Sequence, residues 1–110
     1  MAKILLCILF SLSFSGQTKF FMTDNEYVVS IKDIDKNKFE IRYGDNVLKV
    51  ELDYSSCEGW VYKGKDCEVY APRYLEHIMQ HGIMGDKLLD FIYIEVKGKG
   101  KMYYLVRQLK

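Results

Sequence analysis

The stretch YVVSIKDIDKNKFEIRYGDNVLKVELDY, Tyr27 to Tyr54, decides the fold class. Read in steps of two, Tyr27, Val29 and Ile31 fall on one side, and Val28, Ser30 and Lys32 on the other. Phe39, Ile41 and Tyr43 repeat the pattern against Glu40 and Arg42. Leu48, Val50, Leu52 and Tyr54 repeat it against Lys49, Glu51 and Asp53. A period of two is the period of a strand, and apolar residues alternating with charged ones mark a sheet with one face on a core and one in water. Asp35-Lys36-Asn37-Lys38 and Gly44-Asp45-Asn46 supply turn residues between the runs. Three strands joined by connections this short form an antiparallel meander.

Downstream, Trp60-Val61-Tyr62 and Cys67-Glu68-Val69-Tyr70 read as short strands around Lys63-Gly64-Lys65-Asp66. Pro72, the single proline, suits the first turn of a helix, where its missing N–H costs nothing. Tyr74, Leu75, Ile78, Met79 and Gly82 share one sector of a helical wheel, with Arg73, Glu76 and Gln80 opposite. Gly82 is a natural stop. This predicts one amphipathic helix, Pro72 to His81, lying on the sheet. A closing hairpin, Leu88 to Val96 and Met102 to Gln108, surrounds the five-residue loop Lys97 to Lys101. The expected fold class is α+β: a mainly antiparallel β-sheet of about five to seven short strands with one amphipathic helix packed on it and one disulfide.

Upstream, Met1-Ala2-Lys3 is a short positive start, and Ile4 to Phe14 is apolar but for Ser11 and Ser13. That run is too short to span a bilayer as a helix, which takes about 20 residues. Ser13 and Ser15 offer small residues for cleavage after Ser15; cleavage after Gly16 leaves Gln17 first. Residues 1–16 therefore read as a cleaved signal peptide and 17–110 as a single exported domain, secreted or periplasmic, with no transmembrane segment after cleavage. Lys3 is one of sixteen basic residues, so its loss leaves the basic residues level with the fifteen acidic ones. A nucleic-acid binder generally shows a basic excess, so no nucleic-acid partner is expected. Of the three cysteines, Cys7 leaves with the leader. Cys57 and Cys67 then have only each other, in a compartment that permits disulfides. Closing that loop is worth about 3 kcal/mol in the chain-entropy model.

Three constellations bear on function. His77 and His81 stand four apart on the predicted helix and can share one zinc ion, with a third ligand from Asp86 or Asp90. Their order, Glu76-His77 followed by His81, is not the His-Glu-x-x-His of zinc proteases. Lys97, Lys99 and Lys101 in one loop can grip a polyanion, although lysines at a hairpin tip also protect strand edges. Finally, if Val96 faces Met102, then Ile94 pairs with Tyr104 and Ile92 with Val106. The other face then carries Phe91, Tyr93, Tyr103 and Leu105, more apolar than a wet face should be. Aromatic residues concentrate at interface cores, which makes these four the candidate interface. No nucleophile elbow or phosphate loop is present, and no cofactor is expected. The expected function is a small exported, non-catalytic protein-binding module of the inhibitor, immunity or envelope-associated type, its partner another protein or a second copy. The alternatives are a metal-binding protein or small metal-dependent enzyme built on His77 and His81, and polyanion binding through Lys97 to Lys101.

Overall fold

The alternation of residues 27–54 reaches the structure as a barrel wall. In the computed structural model, residues 17–56 and 59–109 are described; the leader and Cys57 lie outside them. Val29, Ile31, Phe39, Ile41, Leu48 and Val50 are all buried. They belong to β2 (Val28–Asp35), β3 (Lys38–Tyr43) and β4 (Asn46–Ser56). The ladder puts Ile31 opposite Ile41, and Ile41 opposite Leu48, so one apolar row crosses three strands.

The chain continues through β5 (Gly59–Gly64) and β6 (Cys67–Ala71), then helix α1 (Leu75–His81), then β7 (Phe91–Val96) and β8 (Lys99–Leu109). One strand was not foreseen: β1 (Thr18–Thr23) precedes the meander and pairs with both β2 and β8. It turns the expected open α+β sheet into a closed barrel of eight antiparallel strands in chain order. An even number is what lets the first and last strands meet antiparallel. Register shifts at Met22/Thr23, Asp33/Asp35 and Leu52/Tyr54 interrupt the ladder. Such bulges sharpen the local twist that closure requires.

Two further expectations fail. The helix is shorter than Pro72 to His81, and it does not lie on a sheet face. It crosses one end of the barrel, where Leu75, Ile78 and Met79 join the core beside inward-facing Tyr62 and Phe39. A closed sheet leaves its inner face no room for a helix, so only the ends are available. The disulfide is also absent, since Cys67 carries a free thiol. The reason is β5. Cys67 pairs with Gly64 at one end of that strand, whereas Ser56, the chain neighbour of Cys57, pairs with Gly59 at the other. The six residues of β5 span about 17 Å, and a disulfide needs Cα atoms within about 7 Å.

Inside, the barrel is filled by Phe21, Ile31, Ile41, Tyr62, Val69, Ile92, Ile94 and Leu105. Outside, β2 to β5 carry Lys32, Lys49, Glu51 and Lys63, all exposed. An apolar interior is the reverse of the polar lumen of a membrane-spanning barrel. No helix among the described residues is long and apolar enough to cross a membrane.

Candidate binding surface

The β7–β8 hairpin sets which aromatic residues face out. Val96 pairs with Lys99, so the turn is only Lys97-Gly98, with φ of 52° and 83°. Positive φ at both central residues is the type I′ geometry that matches strand twist. Lys99, Gly100 and Lys101 thus belong to β8, not to a loop. Ile92 faces Tyr103 rather than Val106, a shift of three residues, and an odd shift exchanges the two faces of a strand.

The candidate interface therefore divides. Tyr103 and Leu105 are buried in the core with Ile92 and Ile94. Phe91 and Tyr93 stay outside, half-buried. Met102, Tyr104 and Val106 take the vacated outward positions. Phe91 stands opposite Tyr104, and Tyr93 opposite both Met102 and Tyr70. Ring centroids are 6.1 Å apart for Tyr70–Phe91 and for Phe91–Tyr104. Tyr93 reaches over Gly100, where an added Cβ would collide with its hydroxyl end. Lys87 Nζ sits 5.7 Å from the Tyr104 ring centroid. Val106, Phe20 and Val28 are exposed and carry the apolar stripe onto β1 and β2. Sequence reasoning missed Met102, Tyr104 and Val106. The signal that finds them is the Lys97-Gly98 dipeptide, read as a two-residue turn.

The other candidates land as follows. His77 and His81 are exposed, their rings edge-on with centroids 5.5 Å apart. They extend a ladder that begins with Trp60 and Tyr74, at 5.9 Å, and continues from Tyr74 to His77 at 6.2 Å. The proposed third ligands are committed elsewhere. Asp86 Oδ1 accepts the Leu88 N–H, and Asp90 is enclosed by Arg73 and backbone N–H groups. No group of three His, Cys, Asp or Glu side chains converges among the described residues. Lys99 and Lys101 share the inner side of β8, opposite Val96 and Ile94, and Lys97 in the turn does not join them. Lys97 lines a shallow groove of about 340 Å³ together with Lys63, Asp66, Glu68 and Glu95, whereas Lys101 turns towards the barrel axis over Tyr103. That mixture of signs weakens a polyanion grip at the tip.

Electrostatics elsewhere follow burial. Desolvation pushes the Tyr62 phenol up, and the Leu75 N–H donated to its oxygen offsets this in part. Asp33 is raised by burial and then by Glu76 and Asp35. Comparison with known protein families, curated proteins and solved structures finds no match.

Proposed function

We propose that the protein is a small exported, non-catalytic module that binds another protein through the outer stripe of Tyr70, Phe91, Tyr93, Met102, Tyr104 and Val106. The observation that carries this reading is the stripe itself: adjoining outward-facing strand positions occupied by aromatic and apolar side chains, whereas on the β2–β5 wall exposed Ile34, Val47 and Tyr54 stand among charged residues. Contiguous apolar patches of this kind mark association surfaces. The closed sheet offers no free strand edge, so a partner docks on side chains rather than by adding a strand. Export rests on the leader reading of Met1 to Gly16.

Photo-crosslinking tests it. A benzoylphenylalanine is placed at Tyr104 or, as a control, at Glu51 on the charged wall, in protein recovered outside the cytoplasm with Gly16 or Gln17 at its N terminus. The expected result is a discrete protein adduct from position 104 that is missing from position 51 and is lost on adding Val106→Lys. An adduct mass equal to two chains identifies the partner as a second copy. Equal labelling from both positions, or recovery of the uncleaved chain from the cytoplasm only, overturns the proposal.

A further inference from the structure

The two ends of the barrel are unlike. α1 closes one. At the other, inward-facing positions stay within reach of solvent: Lys101 is exposed, and Tyr43, Cys67 and Val96 are half-buried. Lys101 stands opposite Ile94, a core residue, so both side chains lie on the inner face. Its ammonium is 5.0 Å from the ring centroid of Tyr27 and 5.4 Å from that of Tyr103. No carboxylate among the described residues is within ion-pair distance of it. The acidic residues at this end lie in the connections between strands (Asp24, Glu26, Asp45 and Asp66) or at outward strand positions (Glu68 and Glu95, paired with each other), not at inward ones.

Below Lys101, Tyr43 from β3 and Tyr103 from β8 meet across the lumen, centroids 5.4 Å apart, and form a floor. Cys67 and Val96, paired across β6 and β7, form one wall. Neither tyrosine hydroxyl has a hydrogen-bond partner among the described residues, and neither is sealed from solvent. Burial, then Tyr103 and Cys67, push the Tyr43 phenol up, so it remains an O–H donor at neutral pH. An unpaired cation beside aromatic faces and free hydroxyl donors is the lining of a site for an anion with an apolar body.

The geometry points to a binding site in this mouth for a small amphiphilic anion, its ring or short chain held against Tyr27, Tyr43 and Tyr103 and its carboxylate or sulfonate on Lys101 Nζ. The tyrosine floor confines the apolar part to the mouth and leaves any longer tail in solvent, since an eight-stranded barrel is just wide enough to be filled by side chains or to hold one small ligand. This site is independent of the outer stripe.

The test is a fluorescence titration of the purified protein with 8-anilinonaphthalene-1-sulfonate, followed by displacement with octanoate and with octanol. Saturable binding at one site per chain is expected, with octanoate displacing the dye and octanol, at equal concentration, failing to. Lys101→Gln should weaken binding about tenfold, the loss of one charge-assisted contact. Lys101→Arg should retain it, which separates loss of charge from loss of fold. Tyr104→Ser, on the outer stripe, should leave it unchanged. The proposal is overturned if Lys101→Gln binds as tightly as the parent, if Tyr104→Ser abolishes binding, or if octanol competes as well as octanoate.

Discussion

Asp90 is 1% exposed, and both its oxygens are filled. Oδ1 takes Arg73 Nη1 at 3.0 Å, and Oδ2 takes the N–H groups of Met84, Gly85 and Asp86 at 2.9, 2.5 and 2.9 Å. Arg73 also donates to the Gly82 carbonyl at 3.0 Å. One carboxylate thus folds the connector between α1 and β7 back on itself and anchors it to Arg73, two residues before the helix. Asp90→Asn keeps the shape but removes the charge, leaving a guanidinium only 13% exposed without its counter-ion. Breaking one partner of a buried pair costs about 3–5 kcal/mol. Urea denaturation should register a loss of that order, and hydrogen exchange at Met84, Gly85 and Asp86 should quicken more than in the strands. A loss under about 1 kcal/mol would mean the pair is solvated and the connector is held by something else. None of this was legible in the sequence. There, Asp86 and Asp90 are two acids in a connector of mixed glycine, apolar and charged residues, and the arginine that gives one of them its role lies seventeen positions away.

At the scale of elements, α1 has seven residues, too few to persist alone in water. Its own N-cap, Tyr74, makes no capping bond with its side chain. The barrel supplies one instead: the Tyr62 hydroxyl, fully buried, accepts the Leu75 N–H at 2.9 Å. The Tyr74 hydroxyl in turn donates to Asn37 in the β2–β3 turn, so strand, helix and turn are tied at one end. Tyr62→Phe retains the ring and strands one buried donor, which costs about 1–3 kcal/mol. Thermal and urea unfolding should show that loss while the near-ultraviolet signature of the packed rings persists. An unchanged midpoint would show that the helix start draws nothing from the barrel. The helix itself was legible, because Leu75, Ile78 and Met79 recur at helical spacing; its placement was not, because periodicity says which face is buried but not against what. The β7–β8 hairpin failed for a different reason. Met102, Tyr104 and Val106 form one alternating set and Tyr103 and Leu105 another, both apolar, so hydrophobicity could not choose the register. The turn chose it, through the backbone preference of Lys97-Gly98. The candidate interface was half legible in consequence: Phe91 and Tyr93 were placed on the outside, and their β8 partners were exchanged with residues of the core.

Closure belongs to the whole molecule and to no local pattern. The alternation in residues 27–54 describes a sheet with a wet face equally well whether it is open or closed; closure depends on β1, whose sequence, Thr-Lys-Phe-Phe-Met-Thr, has two adjacent phenylalanines and no clean alternation. The structure separates them. Phe21 is fully buried, standing opposite Val29 on one side and Gln108 on the other, while its neighbour Phe20 points outward at 46% exposure. Phe21→Ala should therefore cost about 3–5 kcal/mol, a large share of the ~5–15 kcal/mol that holds a domain folded. Phe20→Ala should cost less than about 1 kcal/mol. Because β1 seals the seam, loosening it also frees the edges of β2 and β8, and unpaired edges recruit other chains. Urea unfolding of the two variants measures the first effect. Size-exclusion chromatography across the lower half of the Phe21→Ala transition reads the second, where dimers and larger species should appear that the parent and Phe20→Ala do not form. Equal destabilisation by the two alanines would mean that β1 does not turn Phe21 into the core, and the barrel would then be open along that seam.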